Sequence, residues 1–215
     1  MQLPKPLKAR WMPKPLSSAQ YWVAGLDDGR TRYCIEHEVL SDVTPAMIVW
    51  FLNHMTDRIE VEGELVQQYR LWHPVDHISL TYLKKGVDGR NFGSGAQIRI
   101  QEAFQGNPDY MINVLATVEY LDETGFAHYE KFAGMRAAEM RYTFEPTEQG
   151  TVYKNSLTVG VAGDSLAARF INRVVAPRVF PKEKGLAWVK HNIEEVGAFE
   201  TFLPQLYNER KDKDS

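Results

Sequence analysis

The side chains best suited to chemistry lie on one stripe near the carboxyl end of the chain. Trp188, His191, Glu195, Phe199 and Phe202 follow one another at intervals of three or four residues, the spacing that places side chains on one face of a helix. Because the stripe is mostly aromatic, we expect this face to turn toward the core, where an unpaired carboxylate is costly. The imidazole and the carboxylate therefore need a partner, and a divalent metal ion is a suitable one.

A strand-like segment carries a second acidic side chain on an apolar face. Between residues 97 and 105, alternation at period two places Ile98, Ile100, Glu102 and Phe104 on the same side. Glu102 is thus an acid among large apolar neighbours. It is a candidate metal ligand, although such a glutamate also occurs paired to an arginine or exposed at a strand end.

A third segment contains two histidines four residues apart, His73 and His77. Pro74 lies between them and excludes both a helix and an inner strand there, so only one of the two histidines needs to face the core. Asp76 is a candidate for orienting a metal-bound imidazole, as such imidazoles usually require. Alternatively, the segment is a turn with incidental histidines, and the helical His/Glu pair is solvated. The metal hypothesis is favoured because three separate segments each place a metal-competent residue on an apolar face.

The elements that must position these residues are strands followed by helices. Period-two alternation and repeated turn signals predict an antiparallel meander from about residue 66 to 160. A helix is expected before it, with Thr44 as N-cap and Pro45 at its first position. Two helices should follow it.

The first of the two later helices should span about 164–179, with Asp164 as N-cap, and the second about 183–207. The last helix must bury its stripe in the concave face of the sheet. The predicted fold class is therefore α+β, a helix-grip arrangement in which a curved antiparallel sheet wraps a long C-terminal helix around a cavity.

Composition restricts the function classes. The chain has 215 residues, 44% of them hydrophobic and 12% aromatic, and a net charge of −3. This gives material for a sizeable core and no basic surface for nucleic acid or anionic lipid. The single cysteine, Cys34, excludes an intramolecular disulfide and favours a cytoplasmic location. Neither a membrane-spanning segment nor a signal peptide is expected.

Three regions are predicted along the chain. Residues 1–25 form an extended, proline-rich arm, which lies on the body or contacts a partner, such as a second copy in a homodimer. Residues 26–207 form a single helix-grip domain. Residues 208–215 are a charged tail that we expect to be disordered.

The string Tyr-Arg-Leu-Trp-His-Pro-Val-Asp-His at 69–77, together with the closing His-Asn-Ile-Glu-Glu at 191–195, resembles the 2,4-diacetylphloroglucinol hydrolase and phloretin hydrolase family. The similarity runs from about residue 45 to 205. It implies a Bet v 1-like helix-grip fold and one zinc ion held by two histidines and two glutamates. It also implies hydrolysis of the carbon–carbon bond between an acyl group and a phenolic ring.

Matching that family's motif residue by residue implies four metal ligands: His77, Glu102, His191 and Glu195. Tyr69 matches a tyrosine that hydrogen-bonds the phenolic oxygens of the substrate, and His128 matches a pocket histidine. The chain departs from the family at Leu80, where the best-known members have an asparagine. The acceptor pattern of the substrate is therefore expected to differ from that of diacetylphloroglucinol.

The function predicted is a zinc-dependent hydrolase acting on an aromatic ketone, with Fe²⁺ or Mn²⁺ as less favoured metals. Two alternatives remain open. One is a non-catalytic helix-grip domain that binds an apolar or polyketide small molecule, in which Glu102, His191 and Glu195 form a polar cluster. The other is a metal-free cyclase or aldolase-like enzyme using Tyr69 and His128 as acid and base.

Overall fold

A nine-stranded antiparallel sheet and a long helix packed on one of its faces form the body of the molecule. The computed structural model describes residues 3–8 and 13–212. Its strands are β1 (Ala19–Gly25), β2 (Thr31–His37), β3 (Leu40–Ser41), β4 (Arg58–Val61), β5 (Glu64–Gln67), β6 (His77–Lys84), β7 (Gln97–Ala103), β8 (Met111–Asp122), β9 (Gly125–Phe132), β10 (Met135–Thr147) and β11 (Gly150–Val159). Its helices are α1 (Pro45–His54), α2 (Gln68–Trp72), α3 (Leu166–Phe170), α4 (Ala176–Val179) and α5 (Lys182–Arg210), with a π-helical segment at Ile171–Val175.

The strands of the sheet follow the order β1-β2-β11-β10-β9-β8-β7-β6, so the meander from β6 to β11 pairs with the first two strands through β11 and β2. Strand β3 also pairs with β11, and β4 and β5 form a separate hairpin. Buried side chains of the sheet, such as Ile98 and Tyr142, form one core with Val196, Phe199 and Leu203 of α5. The α+β helix-grip class predicted from the sequence is confirmed.

Helix α1 begins as predicted. The Thr44 hydroxyl accepts the Met47 amide at 3.3 Å, and Pro45 is the first helical residue. Phe51 on this helix is fully buried and makes edge-on contacts with Trp72 and Phe199, at ring-centroid distances of 5.5 and 5.4 Å. These contacts fix α1 against α2 and α5, so that it covers one end of the cavity.

The prediction of one regular helix at 164–179 with Asp164 as N-cap is wrong on both points. Ser165, and not Asp164, caps α3, by accepting the Ala168 amide at 3.1 Å. The Asp164 side chain is exposed and lies 3.6 Å from Arg169. The turn that follows widens into a π-helix before Pro177, a residue that lacks the amide needed to continue the regular pattern.

The domain limits differ at both ends from those expected. Strand β1 lies within the segment predicted to be an arm, and it pairs with β2 along its whole length. Helix α5 continues to Arg210, beyond residue 207. The parts of the predicted arm and tail at 1–2, 9–12 and 213–215 lie outside the described residues.

The described parts of the arm lie on the body. The Leu7 amide donates to the Pro74 carbonyl at 3.1 Å, and Lys14 Nζ lies 2.6 Å from a carboxylate oxygen of Glu200 on α5. No helix among the described residues is long and apolar enough to cross a membrane.

Candidate metal centre

Three elements bring the four predicted ligands together. His77 is the first residue of β6, and the antiparallel register places it directly opposite Glu102 on β7. His191 and Glu195 lie one turn apart on α5, which packs across these strands. His77 and His191 are at most 1% exposed, and Glu195 is 5% exposed.

Three of the four groups, His77, His191 and Glu195, each place one ligand atom within 4.8 Å of the other two, and Glu102 faces the two histidines with different oxygens. His77 Nε2 lies 3.3 Å from Glu195 Oε2 and 3.6 Å from Glu102 Oε1. His191 Nε2 lies 3.6 Å from Glu195 Oε2 and 3.7 Å from Glu102 Oε2. Nitrogen and oxygen ligands about 2.0–2.2 Å from a tetrahedral ion lie roughly 3.3–3.6 Å from one another. Two neutral imidazoles and two carboxylates also balance the charge of a divalent cation.

The His77 ring presents a lone pair to this space. Its Nδ1 donates to the Tyr69 carbonyl at 2.6 Å, so its Nε2 is unprotonated in the neutral ring. Burial, with the nearby His191 and His73, holds the pKa of His77 well below its usual range. The same Nε2 has no hydrogen-bond partner among the described residues. A buried lone pair facing two carboxylates needs a proton or a cation between them, so these residues fit a metal ion.

Asp76 holds the second imidazole. Its Oδ2 accepts the His191 Nδ1 hydrogen at 2.9 Å, and its two oxygens also accept the Gln105 and Gly106 amides at 2.9 Å each. This leaves His191 Nε2 to face the carboxylates, in the carboxylate–histidine arrangement common around metals. Asp76 thus orients the imidazole of His191, on a distant helix, rather than a histidine of its own segment.

The charges of the cluster depend strongly on one another. Burial lowers the pKa of His191, but Glu195, Asp76 and Glu102 outweigh it and raise that pKa to about 9. Burial, with Glu102 and Asp76, raises the pKa of Glu195 despite the nearby His191. Without a cation the cluster therefore retains protons that a metal ion would displace.

His73 is buried as well, although only one histidine of its segment was expected to face the core. Its Nδ1 accepts the Asp76 amide at 3.1 Å, and its Nε2 lies 3.3 Å from Glu194 Oε2. The ring stacks on His191 with centroids 4.7 Å apart. His73 therefore packs on His191, and with Asp76 and His191 it forms a second group of buried side chains able to hold a metal ion.

Tyr69 lies directly against the candidate ligands. Its ring stacks on that of His77 with centroids 3.8 Å apart, and its hydroxyl donates a short hydrogen bond to Glu102 Oε1. The cause is the short helix α2, which interrupts the predicted run of strands and turns Tyr69 inward. Burial and the neighbouring Glu102 raise the pKa of Tyr69 well above its usual value, so the phenol keeps its proton.

A small inner cavity of about 50 Å³ adjoins the candidate ligands, and Tyr69, His128 and Leu80 line it. His128 is 5% exposed, its Nδ1 has no partner among the described residues, and burial lowers its pKa to about 4. Leu80 is an apolar part of the wall, as the departure from the family motif implied. Only its backbone is polar, and Gln67 hydrogen-bonds both its amide and its carbonyl.

The sequence reasoning missed Glu130. This residue follows His128 by two positions on β9 and lines the same inner cavity. Burial, with Glu102, raises the pKa of Glu130 to about 7. The alternation of Phe126, His128 and Glu130 was the available signal, since all three lie on one face of the strand.

No protein-family model and no curated protein matches this sequence. Among solved structures, the di-domain ARO/CYC protein StfQ from the steffimycin biosynthetic pathway is similar with a TM-score of 0.50 and 12% identity, over 84% of this chain and 53% of StfQ. A START superfamily protein from Mycobacterium smegmatis has a TM-score of 0.49 and 18% identity, over 82% and 98% of the two chains. For Ara h 8.0201 the values are 0.41 and 15%, over 76% and 97%.

This chain spans about half the length of StfQ, and identities this low are evidence of the fold alone. The nine-stranded antiparallel sheet and the long C-terminal helix are those of the helix-grip class. The chain has a START/Bet v 1-like helix-grip fold.

Proposed function

We propose that the protein is a metal-dependent hydrolase that cleaves the carbon–carbon bond between an acyl group and a phenolic ring. The observation that carries this proposal is the convergence of two imidazole nitrogens and two carboxylates beside a buried cavity, where one of the nitrogens has no hydrogen-bond partner in the described part of the chain. The resemblance of residues 69–77 and 191–195 to acylphloroglucinol hydrolases supports an aryl ketone as substrate.

The metal ion would be held by His77, Glu102, His191 and Glu195, with Zn²⁺ favoured over Fe²⁺ and Mn²⁺ for this mixed nitrogen and oxygen set. When bound, such an ion polarises a carbonyl group and lowers the pKa of water. Asp76 keeps His191 in the tautomer that presents Nε2 to the ion. The Tyr69 carbonyl does the same for His77.

The overall reaction adds water across the carbon–carbon bond, so that the acyl carbon gains a hydroxyl group and the ring carbon gains hydrogen. The difficult part is the departure of carbon, which becomes feasible when a polyphenol ring leaves as its keto tautomer. The Tyr69 hydroxyl lies at the cavity wall and donates its hydrogen to Glu102, so its oxygen is suited to accept a hydrogen bond from a ring hydroxyl. His128 is neutral at pH 7, and its buried Nδ1 can form a hydrogen bond with a ring hydroxyl.

The first test is elemental analysis of the tag-free protein. We expect about one zinc ion per chain, lost in Glu195→Ala and kept in Glu209→Ala, an exposed glutamate on the same helix. Acylated phloroglucinols should then be cleaved by the metal-loaded protein and by Glu209→Ala only. Cleavage by a metal-free Glu195→Ala variant would rule out the proposed mechanism.

The second candidate is a non-catalytic binder of hydrophobic small molecules. It is favoured by a larger, mainly apolar cavity of about 440 Å³ between the sheet and the α3–α4 segment. The same analysis separates the two functions. Absence of metal and of cleavage, together with tight binding of acylphloroglucinols, would assign the polar cluster to ligand anchoring.

A further inference from the structure

The inner cavity is too small for a whole aryl ketone. Its volume of about 50 Å³ compares with roughly 300–1,000 Å³ for typical small-molecule sites. The second cavity, which we call the outer chamber, has a volume of about 440 Å³ and lies between strands β8–β11 and the segment from Ile171 to Phe180. The outer chamber, unlike the inner cavity, has the size of an ordinary ligand pocket.

The two cavities share one wall. Five side chains line both of them: Ile112, Val114, Glu130, Met140 and Trp188. Met140 is unbranched and half-buried, and methionine side chains readily change rotamer to admit a neighbour. A ligand that displaces Met140 can therefore extend from the candidate metal ligands into the outer chamber.

The outer chamber suits hydrocarbon. Its far wall consists of Ile171, Val175 and Val179, which recur every four residues along the helical segment and face Leu157 and Val159 of the sheet. Glu130 lies at the shared wall, and Lys184 Nζ is engaged by the Met111 carbonyl at 2.9 Å. Asn113 and Lys131 also line the chamber, whereas Tyr69, His128 and three of the four candidate ligands line only the inner cavity.

Hydrogen bonds of the Asn172 side chain join the far wall to the body. Asn172 Oδ1 accepts the Val161 amide at 2.7 Å, and its Nδ2 donates to the carbonyls of Asp28 and Val161 at 2.8 and 2.9 Å. Asn172 is 3% exposed. These bonds hold the π-helical turn so that Val175, three residues further on, points into the chamber.

We propose that the outer chamber binds the hydrocarbon chain of the acyl group, so that the substrates are phenolic ketones with acyl chains well beyond acetyl. This inference rests on the proposed function for its choice of ligand. The polyhydroxylated ring stays with the polar groups of the inner cavity, and the apolar acyl chain is the part that fits the outer chamber.

The test is calorimetric titration of metal-loaded protein with acetyl-, butanoyl-, hexanoyl- and octanoylphloroglucinol. Each added methylene should tighten binding about fourfold until the chamber is filled. Val175→Trp, which occupies part of the chamber, should reduce this gain for the longer acyl chains. Arg169→Trp places the same side chain on the exposed side of α3 and should behave like the unmodified protein.

A second variant guards against misfolding of Val175→Trp. Val175→Ala enlarges the chamber and should move the best-bound chain to a longer one. Equal affinity for all four ketones, or unchanged length dependence in both Val175 variants, would overturn the inference even if cleavage occurs. Length-dependent binding without metal or cleavage would support the chamber and reject the hydrolase.

Discussion

Asp76 connects parts of the site that are far apart in the chain. It accepts one hydrogen from the imidazole of His191 and two from the backbone at Gln105 and Gly106. Its side chain is 1% exposed, and the balance of burial against His191 and these bonds lowers its pKa. The carboxylate is therefore ionised at neutral pH and fixes His191 relative to the end of β7.

Replacing Asp76 by asparagine should weaken metal binding by about 10- to 100-fold, the usual cost of removing such a supporting carboxylate. The amide keeps one acceptor oxygen but turns its NH₂ group toward a backbone amide that needs an acceptor. Competition with a zinc chelator measures the affinity. Asp109→Asn, in the neighbouring exposed turn, is the control. Equal affinities in the two variants would show that Asp76 has no part in holding His191.

His37 predicts an acid sensitivity away from the candidate metal centre. Burial lowers its pKa to about 4, although a hydrogen bond to Asn155 at 3.0 Å opposes the shift. Because the folded pKa lies below the unfolded value of about 6.5, its contribution is complete above pH 6.5 and is lost as the pH falls toward 4. The loss should amount to roughly 3 kcal/mol.

Urea denaturation between pH 7 and pH 4 measures this effect. His37→Gln retains an N–H donor for Asn155 but does not titrate, so its unfolding free energy should fall less steeply with decreasing pH. Parallel pH profiles for the two proteins would place the acid-sensitive groups elsewhere.

At the scale of elements, the register of β6 and β7 and the phase of α5 build the site together. Antiparallel pairing sets His77 opposite Glu102, and one helical turn separates His191 from Glu195. Helix α5 can approach β2 closely because Gly185 has no side chain. A Cβ atom there would lie 2.1 Å from the ring of Tyr33.

Gly185→Ala should therefore destabilise the protein by about 1–3 kcal/mol through overpacking, although alanine is the better helix former by about 1 kcal/mol. Thermal and urea unfolding measure the change. Tyr33→Val removes the obstructing ring. Adding Gly185→Ala to the Tyr33→Val protein should therefore lower the free energy of unfolding by less than it does in the original protein. A Gly185→Ala protein as stable as the original would mean that α5 shifts freely on β2.

The sequence predicted those parts of the site that lie on elements with a strictly periodic pattern of apolar residues. The stripe on α5 and the inward position of Glu102 follow from spacing alone, because one face of each element is apolar. The burial of His73 was not predictable, since it depends on the turn made by α2 before Pro74. The π-helical turn depends on the hydrogen bonds of Asn172 to distant backbone. Glu130 alternates in phase with Phe126 and His128, but it was not predicted to line the site because a glutamate on a strand is usually exposed.

At the scale of the whole molecule, the candidate site joins segments that are far apart in the sequence, since β6, β7 and α5 all contribute to it. A metal ion bound there would stabilise the folded state, because unfolding separates the ligands. At a free zinc concentration of about 100 times the Kd, the gain should be about 2.7 kcal/mol.

Chelation should accordingly lower the unfolding temperature of the metal-loaded protein, and zinc should restore it. The unfolding temperature of His191→Ala should be the same with and without chelator. Differential scanning calorimetry makes both comparisons. A chelator shift of equal size in His191→Ala would mean that the ion binds elsewhere.

The position of α5 after the sheet has a consequence for synthesis on the ribosome. His77 and Glu102 belong to neighbouring strands, and they are translated well before α5 with His191 and Glu195. Domains generally fold as units, so the nascent chain carries two of the candidate ligands long before it carries four. Capture of an ion by all four would then wait for the last helix, which would make metal loading a late event that reports completion of the domain.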